Sequence, residues 1–336
     1  MFNRQSLLIV ALLAGTATPA VARERLIFDP DNLQFLSDDD QSAADPNANF
    51  VLRGSIGVAS ITANEHVYND PSSTDNLSLL VWQSTAPIAN VDVKLRFQDA
   101  WTLRGRVDAA LMGDSMMTDY DWIPPYNTGY GMNDWSHRSI SPNTSLDWYL
   151  NGSLALGRDL PINGALTVNV NGGFQYTDVE WTATGGTFIY SDGGYRNDIG
   201  TIPDVAAVRY RQQLPTVFAG IDATVNDGPW NLEVDSKAGL LVGASSTDHH
   251  YLRIPPFYIV DDLTYGQLLS VDAKLGYDIS DHLGAYFDAS YEKVFSAHTP
   301  TTYSYISNNQ SYLQSDWRGG AELDVASITA GLKGNF

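Results

Sequence analysis

The chain has 336 residues, with 39 acidic against 19 basic side chains, a formal net charge of -20 and no cysteine. Such acidity excludes nucleic acid as a partner, because nothing would neutralise the phosphates, and it favours cationic substrates. The absence of cysteine excludes disulfides and a thiol nucleophile, and no segment after the N-terminus offers the run of about 18 apolar residues that a membrane-spanning helix needs.

The N-terminus reads MFNRQSLLIVALLAGTATPAVARERL, with Arg4 ahead of an apolar run from Leu7 to Ala14 and small residues at Ala20 and Ala22. That pattern predicts a signal peptide over 1–22, too short in its apolar part to span a bilayer. Residues 23–48 follow as an acidic segment without periodicity, and 49–336 form one β domain.

From there period-2 alternation recurs to the end. Leu166, Val168 and Val170 alternate with Thr167, Asn169 and Asn171; Leu269, Val271, Ala273 and Leu275 alternate with Ser270, Asp272, Lys274 and Gly276. Each strand thus carries one apolar face, and helical periodicity is absent. Ten strands are predicted, near 50–65, 76–87, 100–113, 145–157, 164–182, 209–226, 231–245, 266–279, 283–297 and 316–336. Short connections such as NDGPW (226–230) and ISDH (279–282) alternate with long ones near 114–144, 183–208, 246–266 and 298–315. Transmembrane barrels of outer membranes alternate in this way, with short inner turns and long external loops. Eighteen tyrosines and eight tryptophans suit aromatic girdles, and the last strand ends on Phe336. A soluble β-sandwich or jelly roll is the competing architecture; loop asymmetry and the final residue favour an all-β, ten-stranded antiparallel transmembrane barrel with long extracellular loops.

Two carboxylate-bearing stretches fall at the outer ends of strands. In MMTDYDW, Asp119 and Asp121 stand two apart; in SSTDHHY, Asp248 and His250 do. Extended residues two apart share a face, so each forms a pair, while His249 points away as a bystander. Alone, an Asp-x-Asp is usually a solvated turn and an Asp-x-His a surface hydrogen bond. At one mouth of one barrel they suggest more. A carboxylate on one imidazole nitrogen makes the other a better base, and two facing carboxylates can hold a water for it. No G-x-S-x-G elbow and no H-E-x-x-H zinc motif occurs, adjacent His249 and His250 diverge too far for a zinc site, and no metal or cofactor is called for.

The sequence resembles the omptin family of outer-membrane aspartyl-type endoproteases, ten-stranded barrels. IFDPDN and NEHVY resemble the family's first-strand region, MTDYDW its M-x-D-x-D-W, GGTFIYSDGGYRNDIGTIP its third-loop segment and ITAGLKGNF its last strand. The resemblance implies an aspartate couple at Asp119 and Asp121 and a His–Asp dyad at His250 and Asp248, with Asp134 as a further acid nearby. It also implies hydrolysis of polypeptide substrates at the cell exterior, and a preference for basic residues through pocket acids, of which Glu65 matches one. Ser246 stands where many members have a second acid, which relaxes the case for dibasic cleavage. The family's lipopolysaccharide activation carries over only in part, because Asp178 and Gln213 stand where outer-wall arginines are expected, with Arg211 close by. The alternatives are a catalytically silent barrel acting as an adhesin and a small porin.

Overall fold

The computed structural model describes residues 50–98, 100–295, 298–305 and 310–336, of which 313–316 by backbone alone. The signal peptide, the acidic segment to 48 and the IFDPDN motif lie outside the described residues. Fourteen strands build the fold: β1 (Phe50–Tyr68), β2 (Asn76–Phe97), β3 (Trp101–Ala110), β4 (Asp114–Asp121), β5 (His137–Pro161), β6 (Leu166–Tyr190), β7 (Asp198–Asp227), β8 (Trp230–Leu241), β9 (Ser245–His250), β10 (Phe257–Asp262), β11 (Gln267–Asp278), β12 (Leu283–Phe295), β13 (Thr299–Tyr305) and β14 (Gln310–Asn335). All pairings are antiparallel.

Four pairs of these strands are single staves interrupted partway. β3 and β4 both lie between β2 and β5; β8 and β9 both pair β7; β10 continues β11 and β13 continues β12. Ten staves result, and β1 closes on β14 from Val51↔Asn335 to Val67↔Gly319. The barrel is therefore the expected one. The long loops are shorter than the sequence implies: residues 114–121 and 137–144 are strand, as are 183–190, 198–208 and 245–250. Polar residues in these stretches mask the alternation, because strands that rise beyond the lipid no longer need an apolar outer face.

The wall has its apolar side out. Ile56, Val91, Leu154, Ile221, Leu275, Phe287 and Ile328 are exposed, with Ile56 74% and Ile328 67% accessible. Phe97, Trp101, Trp230, Tyr277 and Phe336 sit exposed near the short turns as one aromatic girdle. Toward the other end a polar belt crosses the outer wall: Arg211 pairs with Asp178 at 2.6 Å and lies over the Trp148 ring, and Lys293 pairs with Asp324 at 2.9 Å.

The interior is layered. Near the short turns it is ionic, with Arg53 bridging Asp92 (2.9 Å) and Glu233 (2.7 Å), Arg104 reaching Asp92 and Asp235 (both 2.9 Å), and Lys274 between Asp235 and Asp272. Buried charges are tolerable there because each finds opposite charge. Above lies an apolar plug in which Ile61, Trp82, Trp181, Tyr210 and Leu323 are fully buried. Trp82 stacks on Tyr210 with centroids 5.6 Å apart, and Trp181 Nε1 donates to Ser84 Oγ at 2.8 Å. The plug crosses the bore at this height, which counts against the porin reading.

Each broken stave inverts its facing. On β8 the odd residues Glu233, Asp235 and Leu241 are buried, whereas on β9 the even residues Ser246 and Asp248 are. On β3 Thr102 and Ala110 face in, but on β4 Met117 does. The extra residue lies at Leu111–Gly113 in one stave and at Val242–Ala244 in the other, a bulge in effect. Uninterrupted alternation would turn Asp248 and His250 to the outside. Gly243 has φ +64 with open space where a Cβ would stand, so a side chain there is opposed by backbone conformation rather than by a clash. Gly243→Val is expected to cost about 1–2 kcal/mol of stability, and Gly243→Asn markedly less, since Asn tolerates a left-handed backbone. Midpoints of thermal unfolding followed by heat-modifiable gel migration will check this; equal midpoints for the two variants would contradict it.

Candidate active site

Asp119 and Asp121 lie on β4, not in a loop, with backbone pairing to β2 on one side (Leu80, Ser78) and to β5 on the other (Ser139, His137). Being two apart on a strand that has already inverted, both turn into the mouth of the barrel above the plug. Burial, then the charge of Asp121, holds the Asp119 carboxyl well above the usual range, with Asp248 adding to the effect and Arg253 opposing it. Burial also raises Asp121, against a hydrogen bond from Ser78 and the nearness of His137, Arg253 and His250. Asp119 Oδ1 is buried without a hydrogen-bond partner.

Asp248 and His250 lie on β9 across the bore. Asp248 pairs in register with Tyr210 and Ile259, His250 with Val208 and Phe257. Asp248 is 1% exposed, and its Oδ2 approaches His250 Nε2 to 2.5 Å. That approach is close enough for an ion pair, although neither Asp248 oxygen has a well-angled hydrogen bond. The imidazole packs on the Phe257 ring, centroids 4.8 Å apart, which fixes its plane. His249 turns outward and stacks on Tyr258 and Tyr251, as the spacing predicts.

Glu65, two residues from the plug residue Ala63 on β1, is 3% exposed and its Oε2 lacks a partner. Burial first, then the charges of Asp248 and Asp261, push its carboxyl well above the usual range. Ser246 lies one rung below Asp248, cross-paired with Gln212 and Asp261. The four catalytic candidates and both pocket candidates thus gather in one mouth.

The rim is stiffened by the block the sequence singles out. Arg196 donates to the carbonyls of Trp135 and Asn133 and lies 3.4 Å from the centre of the Trp135 ring, so the turn at 191–197 clamps the loop at 122–136. Tyr190, from the same block, is raised to about 12 by burial and by Asp119. Asp134 does not join the site: its carboxylate accepts from Thr128 Oγ1 at 2.9 Å and Gly131 N at 3.1 Å, closing the 122–136 loop on itself. On the outer wall, Gln213 Nε2 donates to Tyr176 Oη at 2.8 Å, and Asp178 is taken up by Arg211. Sequence reasoning missed Asp261, whose only mark is an Asp-Asp pair at the end of a strand; its place opposite Ser246 depends on cross-strand register, which no local pattern encodes.

The Omptin family model matches residues 46–336. Protease 7 of Escherichia coli O157:H7 is 27% identical over 354 residues, spanning 99% of this chain and 100% of that protein. The plasminogen activator of Yersinia pestis is 25% identical across 96% of this chain and 92% of that protein. The outer membrane protease OmpP of Escherichia coli strain K12 is 25% identical across 84% and 88%. The crystal structure of the outer membrane protease OmpT from Escherichia coli superposes with a TM-score of 0.78 at 23% identity, covering 89% of this chain and 99% of that one, and so shares its fold.

The raised carboxyls tie stability to pH. In the unfolded chain they release protons near pH 4; in the fold they hold them to higher pH, so the folded state binds more protons and stability falls as pH rises through that window. Asp119→Asn removes one such group. The variant is expected to lose less stability than the parent as pH rises above about 4, and to be the more stable of the two at pH 8. Unfolding midpoints at the two pH values will check the sign.

Proposed function

The chain belongs to the omptin family of outer-membrane proteases, and from that premise we propose that it is an endopeptidase which cleaves cationic polypeptides at the cell exterior with a water activated between Asp119, Asp121, Asp248 and His250. The observation that carries this reading is the placement of the two pairs, which the inverted β4 and β9 turn from opposite sides into one mouth above the plug, near enough for Asp248 to raise Asp119 and His250 to oppose the rise of Asp121.

The chemistry follows from the charges. A water between the pairs gives one proton to the imidazole nitrogen of His250 that Asp248 does not hold, while its oxygen attacks the scissile carbonyl carbon. Asp248 keeps the imidazole oriented and stabilises the imidazolium that forms. The protonated carboxyl of the Asp119–Asp121 couple donates to the water or to the developing oxyanion, and the ionised one accepts from the water, so the pair positions the nucleophile without forming a bond to the substrate. The imidazolium then returns its proton to the departing amine. No covalent enzyme intermediate is required.

Substrate preference follows from the same excess of carboxyl groups. A mouth walled by Glu65, Asp119, Asp121 and Asp248 is short of counter-charge, and a Lys or Arg side chain supplies it. Outer-membrane lipid is the partner of the apolar wall. Lipopolysaccharide is the one activator suggested by the resemblance, and the Arg211–Asp178 pairing leaves it less free cationic charge to hold.

His250→Ala and Asp119→Asn are each expected to lower peptide cleavage at least about 1,000-fold while leaving the folded, heat-modifiable gel form in place. Refolded protein incubated with a mixed peptide library, with and without lipopolysaccharide, makes the measurement. Cuts beside basic residues that vanish in both variants support the protease. A folded parent protein that cuts nothing under either condition overturns it in favour of a silent surface barrel.

A further inference from the structure

We propose that Asp261, together with Glu65, forms the anionic floor of the pocket that receives the guanidinium or ammonium group of the substrate, in place of an acid at Ser246. The inference rests on the protease reading above and adds to it the residue that sets substrate charge.

A single rung of the barrel carries the pocket. Gln212, Ser246, Asp261 and Thr301 stand side by side on four neighbouring staves, each pair in register. Two residues up the same stave, on the same face, stands Asp248, and two further stands His250. A side chain reaching down from a peptide held at Asp248 and His250 therefore meets this rung first. Asp261 is 3% exposed; its Oδ1 accepts from Thr301 Oγ1 at 2.5 Å, and Ser246 Oγ stands 3.4 Å from its Oδ2. The second contact is long for a hydroxyl bond, so Oδ2 keeps acceptor capacity. Room for this carboxylate comes from Gly319, where a Cβ would collide with Asp261 Oδ1 and Thr301 Oγ1.

An independent observation points to a missing ligand. Glu65 Oε2 is buried and receives no hydrogen bond from an N–H or basic group, its near neighbours being the carboxyls of Asp248 and Asp261. A buried unsatisfied carboxylate oxygen is costly, and it is well used where a cation with several N–H donors arrives. Tyr210, at the top of the plug, lies near both acids and its hydroxyl accepts from Gln212 Nε2 at 3.0 Å, so the acids rest on an aromatic, water-poor base. Burial pushes Asp261 up to about 7 against the hydroxyls of Thr301 and Ser246, so near neutral pH an arriving cation draws it into the ionised form.

The test uses the full-length refolded protein and two peptides identical except for arginine or citrulline before the cut, since citrulline keeps the shape and loses the charge. For the parent, arginine is cleaved with the higher kcat/KM. Asp261→Asn is expected to reduce the arginine-to-citrulline ratio on the order of 100-fold, mainly through KM for the arginyl peptide. The double variant Asp261→Ser with Ser246→Asp, which moves the carboxylate one stave along the same rung, is expected to recover most of the ratio. A ratio unchanged in Asp261→Asn overturns the proposal, as does a loss in folded Asp261→Asn that the double variant leaves unrepaired. A second arm separates this from the protease reading: equilibrium binding of an arginyl peptide amide to His250→Ala protein, followed by tryptophan fluorescence, with and without Asp261→Asn. If the parent cleaves nothing, the protease reading fails, and weakened binding in this arm still supports the pocket while equal binding removes it. Heat-modifiable gel migration establishes folding for every variant.

Discussion

Closure of the sheet is the constraint on which everything else depends. A lipid environment offers no partner to a free backbone N–H or C=O, so a spanning sheet must pair its first strand with its last. The β1–β14 ladder does this along seventeen register positions. Once closed, the wall has only two faces, and the alternation of every strand must send its apolar residues to lipid and its polar residues inward. The ionic network of Arg53, Asp92, Arg104, Glu233 and Lys274 is a consequence of that sorting. It is not an added device, because polar side chains facing the bore must find one another.

The site exists because this sorting is broken at one height. Four staves insert extra residues, and in two of them the inversion turns Asp119, Asp121, Asp248 and His250 into the bore. Between the ionic layer and the acidic mouth lies the plug of Trp82, Trp181 and Tyr210. It isolates the two polar layers electrically as well as sterically. Arg53 and Arg104 cannot neutralise the mouth from below, and the acids there remain short of cations. Low local polarity beneath them strengthens each charge–charge interaction that remains.

Most of the architecture was legible in the chain. Alternation and the C-terminal Phe336 pointed to the wall, and ten staves are what the structure has. The pairs Asp119/Asp121 and Asp248/His250 were legible too, because their spacing of two is a local property of any extended backbone. Two kinds of feature escaped. Strand continuations over 114–121, 183–190 and 198–208 were read as loops, since outside the lipid both faces of a strand are polar and the period-2 signal fades. Asp261 escaped for another reason: its meaning lies in standing beside Ser246 on the next stave, and register between staves depends on bulges and turn lengths summed around the ring. Asp134, which the family resemblance placed near the site, has its carboxylate engaged by Thr128 and Gly131 within its own loop.

The mouth stores unfavourable electrostatics that a fold without a task would have relieved. Glu65, Asp119, Asp121 and Asp261 are all held above the ordinary carboxylate range, each chiefly by burial, and for Glu65, Asp119 and Asp261 a neighbour of like charge adds to it. A substitution to Asn or Gln at any of them would lower the strain, as the uncharged rung partners Ser246 and Gln212 show is possible at the same depth. The closed barrel can carry the load because its stability resides in the long ladders below. On the proposed reading a cation delivered with the substrate relieves the strain, and the binding step and the ionisation of the acids are then one event. On that reading, specificity for basic side chains and readiness to activate a water draw on the same buried carboxylates, which outnumber the cations Arg253 and His137 beside them.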